Sequence, residues 1–163
     1  MGMVIYLRRA SPSELQKARA QPDIVQDFAF QTEDPNLIVD FDKAWHALHH
    51  LFTGSGDATD SPLSILIDKT AEIGADEHGF GGFWIIEPAR MKAFSDALSS
   101  LDDAALAAKY DPAAMDREQV YLSDVFVEEG DEALDYVMQG VPALRKFAQN
   151  CVQNGDGAIK ILA

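Results

Sequence analysis

The sequence predicts an α/β (or α+β) domain in which several helices cover a small mixed sheet of about three to four strands. Three short segments have the β-branched and aromatic composition of strands, namely residues 3–7, 83–86 and 158–162. Helical patterns separate each segment from the next, so we expect a parallel component in the sheet. A chain of 163 residues has room for about one domain, which we predict over residues 1–163.

The first strand is followed by a helix with a defined start. Ser11 stands before a proline, and Glu14 follows three residues later. This spacing is a capping box, in which the two side chains accept hydrogen bonds from backbone N–H groups at the helix N-terminus. The helix is predicted to run to about Ala20. Residues 21–36, with two prolines and little periodicity, are predicted to be irregular.

The clearest helical pattern covers residues 42–53. Trp45, Leu48 and Phe52 recur at helical spacing along this segment. Gly54 stands where a residue with a left-handed backbone conformation usually ends a helix. We therefore expect one well-defined helix that buries its tryptophan-bearing face.

The remaining helices are predicted from their start signals, a proline at the first helical position or an aspartate N-cap. They begin at Pro62, Pro88, Asp102 or Asp103, and Pro112. Residues 134–152 carry an apolar helical series that keeps its phase across Pro142, so this proline either kinks one long helix or starts a second one. Residues 74–82 are rich in glycine but precede a strand, whereas a phosphate-binding loop leads into a helix, so we predict a turn there.

The charge of the chain is strongly acidic. Lys and Arg number 13 against 27 Asp and Glu, which gives a net charge of −14. Such a molecule repels phosphate backbones and anionic lipids, so we expect neither nucleic acid nor membrane as a partner. Residues 96–135 contain twelve acidic and two basic residues. This segment is either a solvated face or a docking surface for a basic protein partner.

The predicted location is the cytoplasm. Cys151 is the one cysteine of the chain, so it forms no internal disulfide, and no signal-peptide pattern opens the sequence. The apolar runs are far shorter than the roughly 18 residues of a membrane span.

The candidate binding residues lie on and just before the best helix, and two interpretations of them are open. They are Asp40, Asp42, Lys43, Trp45, His49 and Thr53. In the structural interpretation, an aspartate caps the helix, Trp45 is buried, and His49 bonds a backbone group. In the functional one, these side chains are stacked one turn apart and line a cleft in which His49 acts as an acid or base.

The same helix carries two histidines at a spacing that metal sites use. His46 and His50 are four residues apart, as in helices that present two imidazoles to one metal, and His78 or an aspartate could be the third ligand. The glutamate that follows the first histidine in zinc proteases is missing here. We therefore expect two solvent-facing histidines, no metal and no other cofactor.

The residues that carry a family resemblance are spread over the whole chain. They are Met1-Gly2-Met3, the string Asp40-x-Asp42-Lys43-x-Trp45-x-x-Leu48-His49-x-Leu51-x-Thr53-Gly54, Pro62-Leu63 and Tyr121. In these residues the chain resembles the bacterial YfbM-like family, a domain of unknown function. It departs at Leu122, where relatives commonly have proline. The resemblance adds Tyr121 to the candidate binding residues and implies one compact cytoplasmic domain of mixed α and β structure, with no agreed activity, substrate or cofactor.

The sequence contains no catalytic signature, and two functions remain open. The first is a small, noncatalytic acidic protein that binds a basic protein partner, as immunity proteins neutralise toxins. The alternative is an enzyme or small-ligand binder that uses the face of Asp42, Lys43, Trp45, His49 and Thr53. A cleft beside Trp45 and His49 would favour the second function, and burial of both without a cleft would exclude it.

Overall fold

A computed structural model describes residues 2–74 and 82–163. Within these ranges the chain forms one five-stranded sheet in the order β2-β1-β5-β4-β3. The strands are β1 (Ile5–Ala10), β2 (Ile38–Asp40), β3 (Glu72–Ile73), β4 (Phe83–Ile86) and β5 (Gly157–Leu162). The last strand of the chain is therefore the central strand of the sheet.

All four pairs of neighbouring strands are antiparallel. The mixed fold class is confirmed, but the parallel component and the number of three to four strands were wrong. The helical connections are long enough to return the chain to either end of the sheet, so helices between strands do not fix strand direction. The two strands that were missed, β2 and β3, are short edge strands of three and two residues.

The helices cover both faces of the sheet. They are α1 (Pro12–Ala20), α2 (Val25–Phe30), α3 (Trp45–Thr53), α4 (Pro88–Ser99), α5 (Asp103–Ala107), α6 (Pro112–Arg117), α7 (Ser123–Glu129), α8 (Leu134–Met138) and α9 (Val141–Asn154). The larger core contains the buried side chains of α3, α4 and α9. The smaller core lies under α1 and α2. Within the described part of the chain, no helix is both long and apolar enough to span a membrane.

Several local predictions are confirmed by the hydrogen bonds at helix ends. Ser11 Oγ accepts from the backbone N–H of Glu14 at 3.2 Å, and Glu14 Oε2 accepts from that of Ser11 at 2.7 Å. Gly54 ends α3 with a left-handed φ of 74°. Pro142 starts a second helix, because α8 ends before it and α9 begins at Val141.

Four local predictions were wrong or fall outside the described residues. Residues 21–36, predicted to be irregular, contain the helix α2 (Val25–Phe30). The first strand begins at Ile5 and continues through Arg8, whose guanidinium is buried over the ring of Phe28. Residues 61–67 form turns rather than a helix, and the carbonyl of Ile65 accepts from a side chain, Lys160, instead of a following backbone N–H. The glycine-rich turn, predicted over 74–82, lies mainly outside the described residues.

Candidate functional site

Lys160 occupies a position on the central strand where the sheet faces the larger core. Residues alternate sides along a strand, and its neighbours on the same side, Ala158 and Leu162, contact that core. In register, Lys160 lies opposite Leu7 on β1 and opposite Trp84 on β4. Its side chain is 2% exposed. A lysine in such a place is uncommon, because burial removes the hydration of its charge.

The Lys160 ammonium is held by backbone groups and an aromatic ring. Nζ donates to the carbonyl of Ile65 at 3.0 Å and to the carbonyl of Asp68. It also lies 5.2 Å from the centroid of the Trp84 ring. The carboxylate of Asp68 is paired instead with Arg90. Burial disfavours the charged amine and lowers the pKa of Lys160 to about 7.

Lys160 lines a cleft of about 820 Å³. This volume lies in the range of roughly 300–1,000 Å³ that is usual for small-molecule sites. The aromatic residues of the cleft are Trp45, His46 and Trp84, and its charged residues are Asp57, Lys69, Glu72 and Lys160. Aliphatic side chains such as Leu66 and Leu162 complete the lining. The cleft is therefore mostly apolar, with a few charged groups.

Two of three stacked rings, those of Trp45 and His46, line the cleft. The ring of Trp45 stacks on that of His46 with centroids 5.0 Å apart and planes 5° apart, and on that of Tyr121 at 5.8 Å. Trp45 Nε1 donates to the carbonyl of Met3 at 3.0 Å, and the Tyr121 hydroxyl accepts from the backbone N–H of Met3 at 3.2 Å. These bonds fix the rings against the start of the chain.

Histidines of α3 hold the loop that forms another part of the cleft. His46 Nε2 donates to the carbonyl of Gly56 at 2.7 Å, and His49 Nε2 donates to the carbonyl of Asp57 at 2.8 Å. The backbone N–H of Gly56 donates to a carboxylate oxygen of Glu118. A Cβ on Gly56 would lie 2.8 Å from the carbonyl oxygen of Glu118, so glycine permits this close approach.

Trp45 and His49, which the sequence placed on one stripe, have different surroundings. Trp45 lines the cleft, whereas His49 is fully buried and is not among the described residues that line it. Burial lowers the pKa of His49 to about 4, which keeps the ring neutral. Thr53 Oγ1 donates to the carbonyl of His49 at 2.9 Å. His49 and Thr53 therefore support the loop from inside.

The residues before α3 form a separate cluster on the surface. Asp42 has a left-handed φ of 46°, and its backbone N–H donates to the carboxylate of Asp40 at 3.1 Å. Asp42 accepts from the hydroxyl of Tyr136 at 2.8 Å, and the backbone N–H of Lys43 donates to the same hydroxyl at 3.2 Å. Burial and the bond to Asp42 raise the pKa of Tyr136 to about 12. The structure thus does not bring Asp40, Asp42 and Lys43 into the described lining of the cleft.

His46 and His50 are not the solvent-facing pair that we expected. His50 is 4% exposed, and His46 is half-buried. Both ring nitrogens of His46 are used, because Nδ1 accepts from the backbone N–H of Tyr121 at 2.9 Å. Among the described residues, which exclude His78, no group of three or more His, Cys, Asp or Glu side chains could hold a metal ion.

The sequence interpretation missed Lys160 and Trp84. The last strand contained a sequence signal for Lys160. It is the one charged residue in a run whose other side chains are apolar on both faces of the strand. A strand that is apolar on both faces is buried on both faces, so its lysine must be buried too. Trp84 was recognised as part of a strand but not as a cleft residue, because its register opposite Lys160 depends on the pairing of β4 with β5.

The acidic segment lies on the surface. All twelve acids between Asp96 and Asp135 are exposed. Some have structural partners; Asp102 and Asp111, for example, cap α5 and α6. We define the acidic face as six acids that form no ion pair within the described residues: Asp124, Glu128, Glu129, Asp131, Glu132 and Asp135. Val127, on α7, is 51% exposed among them.

The sheet and the cleft define a mixed α/β domain with a site of ligand size on one side of its central strand. The chain belongs to the family described as Domain of unknown function (DUF1877), which matches residues 1–161. The predicted YfbM-like family is therefore confirmed. The chain is similar in structure to YfbM from Escherichia coli, a protein of unknown function, with a TM-score of 0.75 and 20% identity over 98% of this chain and 99% of that chain. This likeness shows the fold alone. No curated protein matches the sequence.

Proposed function

We propose that this protein binds a small, planar organic molecule in the cleft beside the central strand. The observation that carries the proposal is that both tryptophans of the chain, Trp45 and Trp84, line one cleft. Lys160, on the central strand, lines the same cleft. Indole rings supply flat apolar contact, and a few charged groups orient a ligand within it. This function corresponds to the small-ligand alternative of the sequence interpretation, but of the residues named there only Trp45 lines the cleft.

The polar groups of the cleft support a ligand with hydrogen-bonding capacity. The Trp84 indole N–H is buried and has no hydrogen-bond partner among the described residues. An unpaired buried donor costs about 1–3 kcal/mol, so a ligand acceptor that reaches it gains affinity. Lys160 and Lys69 add positive charge to the cleft, and Asp57 and Glu72 add negative charge. We expect a ring system with at least one polar substituent.

Binding of 8-anilinonaphthalene-1-sulfonate tests this function, because the dye has a flat naphthalene ring, carries a sulfonate and fluoresces in apolar sites. We expect one dye per chain, with quenching of tryptophan fluorescence at the same dissociation constant. Ala58→Phe places a ring in the cleft at an exposed position, and we expect it to weaken binding at least tenfold. Ala113→Phe, at an exposed position on α6, is the matched control. Equal affinity of both variants and the wild type would contradict the proposal.

A second candidate function is the docking of a basic protein partner, supported by the acidic face and by Val127 within it. Opposite charges speed association and make it sensitive to salt. The test is a pull-down at low and high salt with Glu128, Glu129 and Glu132 changed to Lys. The matched control changes three exposed acids elsewhere, Asp23, Asp27 and Glu33, to Lys. A basic partner captured equally by the two triple variants, or by neither the wild type nor the control, would contradict this function.

A further inference from the structure

We propose that Lys160 is a nucleophile whose amine forms an imine with an aldehyde or ketone bound in the cleft. The inference rests on the proposed function, since the carbonyl compound must occupy the same cleft. It goes further because it assigns a covalent step and a chemical class of ligand. The supporting observations are the place of the lysine, the hydrogen bonds of its nitrogen and the composition of the surrounding cleft.

The place of Lys160 favours the neutral amine, which is the reactive form. The nitrogen is buried against the ring of Trp84, and among the described residues no carboxylate forms a salt bridge with it. Burial lowers the pKa of Lys160 to about 7 against the opposing charge of Asp68, so the free amine is a major form at neutral pH. An exposed lysine, with a pKa of about 10.4, has less than about 0.1% free amine at the same pH. Burial of this kind is a known way to activate a lysine towards carbonyl compounds.

The two hydrogen bonds of the nitrogen can be made by the free amine as well as by the ammonium. A neutral primary amine has two N–H donors and one lone pair. The carbonyls of Ile65 and Asp68 accept two hydrogen bonds from Lys160 Nζ. Both donors of the free amine are therefore used, and the lone pair remains for attack. The same two bonds fix the nitrogen, which limits the conformational freedom that the side chain loses on reaction.

Formation of the imine releases water and requires no oxidant or reductant. The lone pair of Nζ attacks the carbonyl carbon, and the electron pair of the C=O bond moves to oxygen. A proton passes from nitrogen to that oxygen, which gives a carbinolamine. The hydroxyl then leaves as water with one more proton, and a C=N bond forms in its place. The protonated imine keeps one N–H, so one of the two carbonyl contacts persists in the product.

The cleft supplies groups that suit this chemistry. Glu72 and Asp57 line it, and a carboxylate there can relay a proton from solvent to the leaving hydroxyl, which departs as water. Glu72 is fixed by the backbone N–H of Gly82, which donates to Oε1 at 2.7 Å. The rings of Trp45 and Trp84 favour an aromatic carbonyl compound.

The experiment traps the imine by reduction. The protein is incubated with benzaldehyde and sodium cyanoborohydride, and the modified lysines are located by peptide mass spectrometry. We expect Lys160 to be modified at least tenfold faster than Lys69, an exposed lysine of the same cleft, at pH 7. The ratio should fall as the pH approaches 10, because exposed lysines then lose their protons. A structural lysine with an ordinary reactivity would not show this pH dependence.

Two variants connect the reaction to the cleft. Ala58→Phe is expected to slow modification of Lys160 at least tenfold but not that of Lys92, which is exposed on α4. Lys160→Met removes the reactive group and should abolish modification at this position. If this variant does not fold, the comparison of Lys160 with Lys69 in the wild type still tests the inference. Modification of Lys160 at the rate of Lys69, or at a rate that Ala58→Phe leaves unchanged, would overturn the inference. If the naphthalene dye still binds in that case, the proposed function stands while the covalent step fails.

Discussion

Trp84 and Lys160 face each other across β4 and β5, with the lysine nitrogen 5.2 Å from the centroid of the indole ring. The two side chains lie on the side of the sheet that faces the larger core, where both are 2% exposed. The ring face is electron-rich and attracts the ammonium, which offsets part of the cost of burying its charge. Both side chains line the cleft, so the central strand β5 and its neighbour β4 form part of its wall.

The first prediction concerns the pH dependence of stability above pH 7. The pKa of Lys160 is about 7 in the folded protein and about 10.5 in the unfolded chain. Between these values the unfolded chain binds the additional proton, so the free energy of unfolding rises with pH by up to about 1.4 kcal/mol per unit. Lys160→Met should remove this increase. Urea unfolding of both proteins at pH 7, 8 and 9 measures it.

Lys92→Met is the control for that measurement, because Lys92 is an exposed lysine of α4 that is not among the described residues lining the cleft. Its free energy of unfolding should follow the wild type across the pH series. If the curves of the wild type and of Lys160→Met stay parallel from pH 7 to pH 9, Lys160 remains charged in the folded protein.

The second prediction concerns acid. The folded-state pKa of His49 is about 4, below the ordinary value of 6.5, because the ring is buried. Between pH 6.5 and 4 the unfolded chain binds more protons, so stability falls as the pH falls through this window. His49→Gln should be less stable at pH 7 by about 1–3 kcal/mol, since the bond to the Asp57 carbonyl is weakened. It should lose less stability on acidification.

Urea midpoints at pH 7, 6 and 5 for the wild type and His49→Gln check this prediction. The difference between the two proteins should shrink as the pH decreases. A difference that stays constant or grows would show that His49 is not a buried neutral histidine.

The third prediction concerns Trp45. Its ring is stacked between His46 and Tyr121 and is 8% exposed. Trp45→Ala should lower the free energy of unfolding by about 3–5 kcal/mol, a large part of the roughly 5–15 kcal/mol of a typical domain. Trp45→Phe keeps a stacked ring but loses the bond to the Met3 carbonyl, so a smaller loss is expected. Unchanged stability of Trp45→Ala in guanidinium unfolding would mean that the stack contributes little to the fold.

The fourth prediction concerns the loop that α3 holds in place. Gly56→Ala would bring its Cβ within 2.8 Å of the Glu118 carbonyl oxygen, so the loop must move. We expect weaker dye binding as well as lower stability. Gly54→Asn is the control, because no atom lies within 4 Å of a Cβ there and asparagine tolerates the left-handed φ of 74°. If both variants lose dye binding equally, the close approach at Gly56 is not what shapes the cleft, and the prediction is wrong.

Local chemistry explains which parts of the fold could be predicted from the sequence. The capping box of Ser11 and Glu14 and the C-cap at Gly54 depend on neighbouring residues alone, and both are confirmed. Strand directions and the edge strands β2 and β3 depend on pairing between distant segments. A two-residue strand such as β3 has no periodicity to detect.

Of the residues that line the candidate cleft, the sequence singled out Trp45 for the same reason. Trp45 was found because a tryptophan on the buried face of a helix is visible in the helical spacing. Lys160 and Trp84 reach the same cleft because their strands pair in the sheet. The two residues are more than 70 positions apart in the sequence, so helical or strand spacing could not show that they are neighbours. The helical spacing that placed His49 beside Trp45 was correct. His49 is nevertheless buried and bonds the carbonyl of Asp57, so it supports the loop and does not line the cleft.

The most direct test of ligand binding in the cleft is the response of the two indole N–H signals in a ¹H–¹⁵N NMR spectrum. The chain has two tryptophans, and both line the cleft. During titration with 8-anilinonaphthalene-1-sulfonate, we expect both signals to shift with one dissociation constant. The backbone amides of α7 and α8 should stay in place. Shifts confined to α7 and α8, with both indole signals unmoved, would contradict ligand binding in the cleft.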